Sequence, residues 1–329
     1  MIVDGHQHVM LPTSMQIQKM DEAGVDKTIL FSTTPHVEKA ETATLDAIGA
    51  EMQVLYQLLS GSYSPEARIA KMKDTILELN QAIQDAPERF YGFGPVPLGL
   101  ADGDTAAWVK DYIIGNSFKG IGEFTPGSES QITQLESVFK ALTDHPGLPI
   151  WVHTFNPVTL NGIQILMELC RKYPTVPVIF GHMGGSNWMD VIAFAKEQGN
   201  AYLDLSAAFT PLSVKTALTE VPERCLFGSD APFGEPIAAF VEIAPAGLLQ
   251  IGVSIRHGKV QFLAEFGGVW TFAPLNRTHV RLLQTDDPVL AGMGVVAVHH
   301  LLLAVHHRNH SKPVPEPAGK QRFVIRNLG

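Results

Sequence analysis

Ile2-Val3-Asp4-Gly5-His6-Gln7-His8 opens the chain with an apolar pair that runs into two histidines. Alternate residues of a strand share a face, so His6 and His8 present two imidazoles on one side. Such a pair can hold one cation. His-x-His is common by chance, and its weight depends on the partners that later strands supply. Seven further strand-like runs come after the first, which covers 2–9: 27–33, 89–96, 118–124, 149–154, 176–182, 201–206 and 225–230. Helical patterns separate most of them, at 12–23, 104–115, 130–143, 160–172, 187–198 and 211–220. This alternation predicts a parallel sheet, and eight units predict an α/β fold closed as a (β/α)8 TIM barrel. An open dinucleotide-binding sheet is disfavoured, because no Gly-x-Gly-x-x-Gly comes after the first strand.

The composition fits that size of core. The 329 residues are 45% hydrophobic and 17% charged, as in an ordinary globular chain. A formal net charge of -9 argues against a general nucleic-acid binder. Cys170 and Cys225 both sit in apolar runs and read as reduced core thiols, which favours the cytoplasm. No signal peptide is expected ahead of the histidine pair. The best membrane candidate, Pro288 to Val305, is interrupted by His299 and His300, and no membrane span is expected.

Two regions depart from the barrel rhythm. Residues 35–88, between the second and third strands, hold helical patterns at 42–59 and 65–85 and read as a helical insertion, either over the site or as a packing excursion. The character changes again near Pro236. Residues 1–234 carry 15 Lys+Arg against 27 Asp+Glu, whereas 235–329 carry 9 against 6 and seven of the thirteen histidines. Short β-like runs such as 259–266 and 322–325 replace the helix-strand alternation. The expected division is a barrel at 1–236 and an atypical C-terminal region at 237–329, its composition suggesting a frameshifted or replaced tail. The tail cluster His299, His300, His306, His307 and His310 resembles a metal tract but equally makes one helix face.

Barrel enzymes carry their chemistry at the C-terminal strand ends. Strand one ends in His6 and His8. Strand four ends in Gly122-Glu123, strand five in Val152-His153, strand six in Gly181-His182 and strand eight in Ser229-Asp230. Each has an ordinary reading alone: His153 and His182 as core histidines, Glu123 paired with Lys119, Asp230 as a turn cap. Six imidazoles and carboxylates at one end of five strands argue jointly for a divalent metal site, with zinc favoured and manganese or iron also accommodated. They suffice for one open ion or for two ions and a bridging carboxylate. Gly181 and the Gly184-Gly185 pair suggest close approach of backbone to something.

These residues carry a resemblance. Val3-Asp4-Gly5-His6-Gln7-His8, the run from Arg89 to Pro97, Gly120-Ile121-Gly122-Glu123, Pro149-Ile150-Trp151-Val152-His153, Gly181-His182-Met183-Gly184-Gly185 and the run from Gly228 to Gly234 together resemble the amidohydrolase superfamily, in its amidohydrolase-2 group. The likeness covers 1–234 in the family's order. It implies that His6, His8 and Asp230 hold a first metal. In a two-metal branch Glu123 bridges to a second ion on His153 and His182. In a one-metal decarboxylase branch His153 completes the site and His182 is the acid or base. No lysine stands at the strand-four end for a carboxylated bridge.

The reaction expected first is metal-dependent hydrolysis of an amide, cyclic amide or ester of a small molecule, with Asp230 and His182 as catalytic groups. Trp151 and Phe155 are expected in the pocket wall. The alternatives are a mononuclear zinc-dependent decarboxylase of an unsaturated or aromatic carboxylate, and a non-catalytic metal-binding protein. A homo-oligomer is compatible with either.

Overall fold

The computed structural model describes residues 2–32, 42–59, 64–234, 250–256 and 259–265. Eight parallel strands lie in sequence order: β1 Val3–His8, β2 Lys27–Phe31, β3 Phe90–Gly94, β4 Gly120–Phe124, β5 Ile150–His153, β6 Val178–Gly181, β7 Ala201–Asp204 and β8 Cys225–Leu226. The ring closes between its ends. Gly5 N donates to Phe227 O at 2.8 Å, Asp230 N to His6 O at 2.8 Å and His8 N to Ala231 O at 2.7 Å. The fold is the expected (β/α)8 barrel.

The helices are α1 Thr13–Glu22, α2 Leu45–Leu59, α3 Pro65–Asp85, α4 Asp102–Trp108, α5 Glu129–Leu142, α6 Leu160–Lys172, α7 Trp188–Glu197 and α8 Pro211–Glu220. α6 shows why they form. The Thr159 hydroxyl caps its start by accepting from Gly162 N. Ile163, Leu166, Met167 and Cys170 then recur at helical spacing and are buried, and Arg171 and Lys172 complement its C-terminal end. The expected helix at 104–115 is α only to Trp108 and continues as a wider π turn over Val109–Ile114. Within the long β2–β3 connection, α3 is the crossover helix itself: it packs on β3 and buries Ile76, Leu79 and Ala82. α2 is therefore the additional element.

Two apolar layers result. One fills the space between strands and helices. The other, Val3, Ile29, Phe31, Phe93, Trp151, Ile179 and Leu226, fills the barrel interior beneath the strand ends. Trp151 is wholly buried in that floor, which corrects its expected place in the pocket wall. Its large ring fits the interior because Phe31 and Phe93 pack edge-on against it.

Beyond the barrel, β9 Gln250–Arg256 and β10 Lys259–Glu265 form an antiparallel hairpin, which realises the β-like run expected at 259–266. The chain divides into compact units at 1–280 and 281–329. The second unit, with Pro288 to Val305, the 299–310 histidines and the 322–325 run, lies outside the described residues, as does His36. Among the described residues no helix is long and apolar enough to cross a membrane.

Both thiols are free and buried, and burial pushes Cys170 up to about 12 and Cys225 higher still. The thiolate is the reactive form. Native protein is expected to show no thiol to a chromogenic disulfide reagent at pH 8, and two after denaturation; a thiol that titrates in the native state would contradict this burial.

Candidate metal centre

The structure brings all six expected residues to one place at the C-terminal mouth of the barrel. Glu123 lies at the centre. Its Oε2 is 3.5 Å from His6 Nε2 and 3.6 Å from His8 Nε2. Its Oε1 is 3.3 Å from His153 Nδ1 and 3.4 Å from His182 Nε2. Asp230 Oδ1 closes the first group, 3.5 Å from His6 Nε2 and 3.4 Å from His8 Nε2. One carboxylate thus faces two imidazole pairs, one with each oxygen, and Lys119 is not its partner.

These spacings fit shared cations better than hydrogen bonds. Charge-assisted N–H···O contacts settle near about 2.7–2.9 Å. Two donor atoms that each lie about 2.0–2.2 Å from one ion stand farther apart, as these do. His6 Nε2 is fully buried and has no hydrogen-bond partner. A buried imidazole nitrogen left so is costly, and a cation at that point would satisfy it. Two donor triads are compact enough for an ion: His6, His8 and Asp230, and His6, Glu123 and His182. His153 stands beside Glu123 and extends the second.

Charge in the site follows from burial opposed by opposite charges. Burial alone would lower the His8 imidazolium, but Asp230 and Glu123 outweigh it and put its pKa at about 9. His6 is likewise held well above the usual histidine range, burial being outweighed by Asp204, Glu123 and Asp230. Burial would raise Glu123, but His6 and the other imidazoles hold it well below the usual carboxylate range.

Backbone geometry sets these positions. His182 and Asp230 both adopt left-handed φ, 58° and 61°, rare for residues with a Cβ and concentrated at functional sites. Gly181 is required by close approach: a Cβ there would lie 2.9 Å from Val152 O and 3.2 Å from Glu123 Oε1. The backbone approach expected at this glycine is thus to the β5 backbone first, with the central carboxylate next to it. At Gly228 a Cβ would lie 2.6 Å from Asp204 Oδ1 and 2.8 Å from His6 Cβ.

Several residues of the site were not singled out from the sequence. Asp4, fully buried in β1, accepts from His6 N and Ser229 N at 3.0 Å each and from Gln7 Nε2 at 2.8 Å, which ties the ends of β1 and β8 together. Gln16 of α1 extends this network, donating to Gln7 Oε1 and His8 O at 3.0 Å each. Asp204 and Ser206 lie behind His6 and His182. Phe233 stands edge-on to His8 with ring centroids 5.5 Å apart, while Phe155, expected in the wall, is half-buried.

A family model described as amidohydrolase matches residues 3–245. No curated protein matches the chain. Among solved structures, the chain is similar to 5-carboxyvanillate decarboxylase from Sphingomonas paucimobilis, with 13% identity, 74% of this chain and 92% of that one covered, and a TM-score of 0.52. It is also similar to 2,6-dihydroxybenzoate decarboxylase from Rhizobium, with 16% identity, 72% and 90% covered, and a TM-score of 0.48. At 13% identity the likeness to the first is one of fold.

Proposed function

The chain belongs to the amidohydrolase family, and from that premise we propose that it is a metal-dependent hydrolase that cleaves an amide, cyclic amide or ester bond of a small molecule. The observation that carries this reading is Glu123, whose two oxygens face His6 with His8 on one side and His153 with His182 on the other. A carboxylate so placed suits a bridge between two ions. His6, His8 and Asp230 would hold one, His153 and His182 the other, and zinc suits this imidazole and carboxylate set.

A bound divalent ion supplies an acidified water near neutral pH and polarises a carbonyl. Asp230, 8% exposed at the mouth, is placed to accept the proton of the attacking water and return it to the leaving group. The left-handed backbone at Asp230 and the bond from its N–H to His6 O hold that carboxylate beside the histidine pair. The apolar floor of Phe31, Phe93 and Trp151 keeps water from below and strengthens every charge interaction above it. The substrate in this reading is a small molecule, and the two free buried thiols favour the cytoplasm as the place where it is met.

The second reading is decarboxylation of an unsaturated or aromatic carboxylate at a single ion, as befits a barrel shared with 5-carboxyvanillate decarboxylase. His182 Nε2 would then be free to deliver a proton to the carbon that loses carbon dioxide. Metal analysis of wild type beside Glu123→Ala separates the two. The hydrolase reading expects about two equivalents in wild type, loss of about one in the variant, and turnover on a panel of amides, cyclic amides and esters. One equivalent in both proteins, with carbon dioxide released from aromatic acids, would overturn it.

A further inference from the structure

β7 contributes no residue to the six-residue cluster, yet its end touches both halves. Asp204 is fully buried and Ser206 is 1% exposed. Asp204 Oδ2 accepts from His6 Nδ1 at 2.9 Å and from the His182 backbone N–H at 3.1 Å, and it also accepts from the Ser206 hydroxyl. Asp204 Oδ1 accepts from Ser206 N at 2.9 Å. The Ser206 oxygen in turn lies 3.0 Å from His182 Nδ1, and the Ser206 carbonyl lies 3.1 Å from the same nitrogen.

We propose that Asp204, with Ser206, is a single positioning strut that fixes the ring orientation and tautomer of His6 and His182 together, one imidazole from each half of the centre. The inference rests on the metal reading of the site and adds a residue pair to it. Each ring has its Nδ1 opposite an acceptor on β7 or just beyond its end, so Nδ1 carries the proton. Nε2 is then the lone-pair nitrogen, and in both rings Nε2 is the atom that faces Glu123. A ligating histidine is held in this way when its other nitrogen donates to a carboxylate or carbonyl. Here one carboxylate serves two rings, so its loss reaches both ions at once.

The environment of Asp204 explains why a carboxylate is needed. Donors converge on both oxygens: a backbone N–H on Oδ1, and a ring N–H, a backbone N–H and a hydroxyl on Oδ2. Asparagine offers one acceptor oxygen, so either orientation of its amide points N–H groups at donors. Gly228 leaves no room for a side chain here, since a Cβ at that position would lie 2.6 Å from Oδ1.

The test compares wild type, Asp204→Asn and Ser206→Ala by chelator-competition affinity for zinc and by the visible absorption of the cobalt-substituted proteins. Asp204→Asn is expected to weaken both equivalents about 10–100-fold and to alter the cobalt spectrum. Ser206→Ala is expected to weaken both equivalents less than Asp204→Asn does: the Ser206 hydroxyl also lies 3.1 Å from His6 Nδ1, but His6 keeps Asp204 and His182 keeps the Ser206 carbonyl. Wild-type affinities and spectrum in Asp204→Asn would overturn the strut while leaving the metal reading intact. No uptake by wild type would overturn the metal reading, and the strut with it. If Asp204→Asn does not fold, nitrogen NMR of zinc-loaded wild type with labelled histidine decides: Nε2 bound and Nδ1 protonated in both rings supports the strut, and Nδ1 bound in either overturns it.

Discussion

His6→Ala is expected to cost the protein more metal affinity than any other single change, well beyond the roughly 10–100-fold typical of a residue that only supports a ligand. His6 belongs to both compact donor triads, and its Nε2 is a buried atom without a hydrogen-bond partner. Its other nitrogen neutralises Asp204, so the change also leaves a buried carboxylate with less compensation. Breaking a buried ion pair from one side costs about 3–5 kcal/mol. Metal content after dialysis and chemical denaturation of the metal-free proteins read the two effects separately. Wild-type metal content in the variant would remove His6 from the centre.

Trp151→Ala is expected to give the largest loss of stability, about 3–5 kcal/mol, with Trp151→Phe well below that. Trp151 is 0% exposed and touches Phe31, Phe93 and the His6 ring, whose centroid lies 5.0 Å away. The barrel interior is walled by strands and cannot collapse onto the space left behind, so the cavity persists. Because the tryptophan lies directly against His6, metal affinity should fall with stability. Denaturant unfolding monitored by circular dichroism measures the first and chelator competition the second. A loss under about 1 kcal/mol would mean that the floor repacks, contrary to the rigidity ascribed to it.

The barrel was legible because its code is local. Apolar strands and amphipathic helices have different periods, and α6 lies on the segment that its period and cap indicate. β8 is the exception: the run 225–230 pairs as a ladder only at Cys225–Leu226, and the rest turns inward to carry Asp230. The six clustered residues were legible from one rule, polar groups at C-terminal strand ends. That rule applies equally to Asp204, which ends β7 in Ala201-Tyr202-Leu203-Asp204, so its signal was present although it is not among the six. Asp4 gave no such signal, since nothing in its strand says that its partners lie 225 positions away at Ser229. Nor does sequence show that Glu123 faces both ways. That depends on Gly122 at φ 135° and on the register shift between Ile121 and Phe124, which are set by packing against β5.

The closure of the ring has a consequence for how the molecule assembles. Every neighbouring strand pair but one is joined by a single crossover, whereas β1 and β8 meet only after the whole barrel has wound round. Contacts so distant in sequence carry the largest loop-closure cost and form late. His6 and His8 lie on one lip of that seam and Asp230 on the other. A cation held between them would act as a clasp on a circular wall, and its binding free energy would become folding free energy. The two ends of the barrel wall would then be fastened by the same side chains that the proposed chemistry uses.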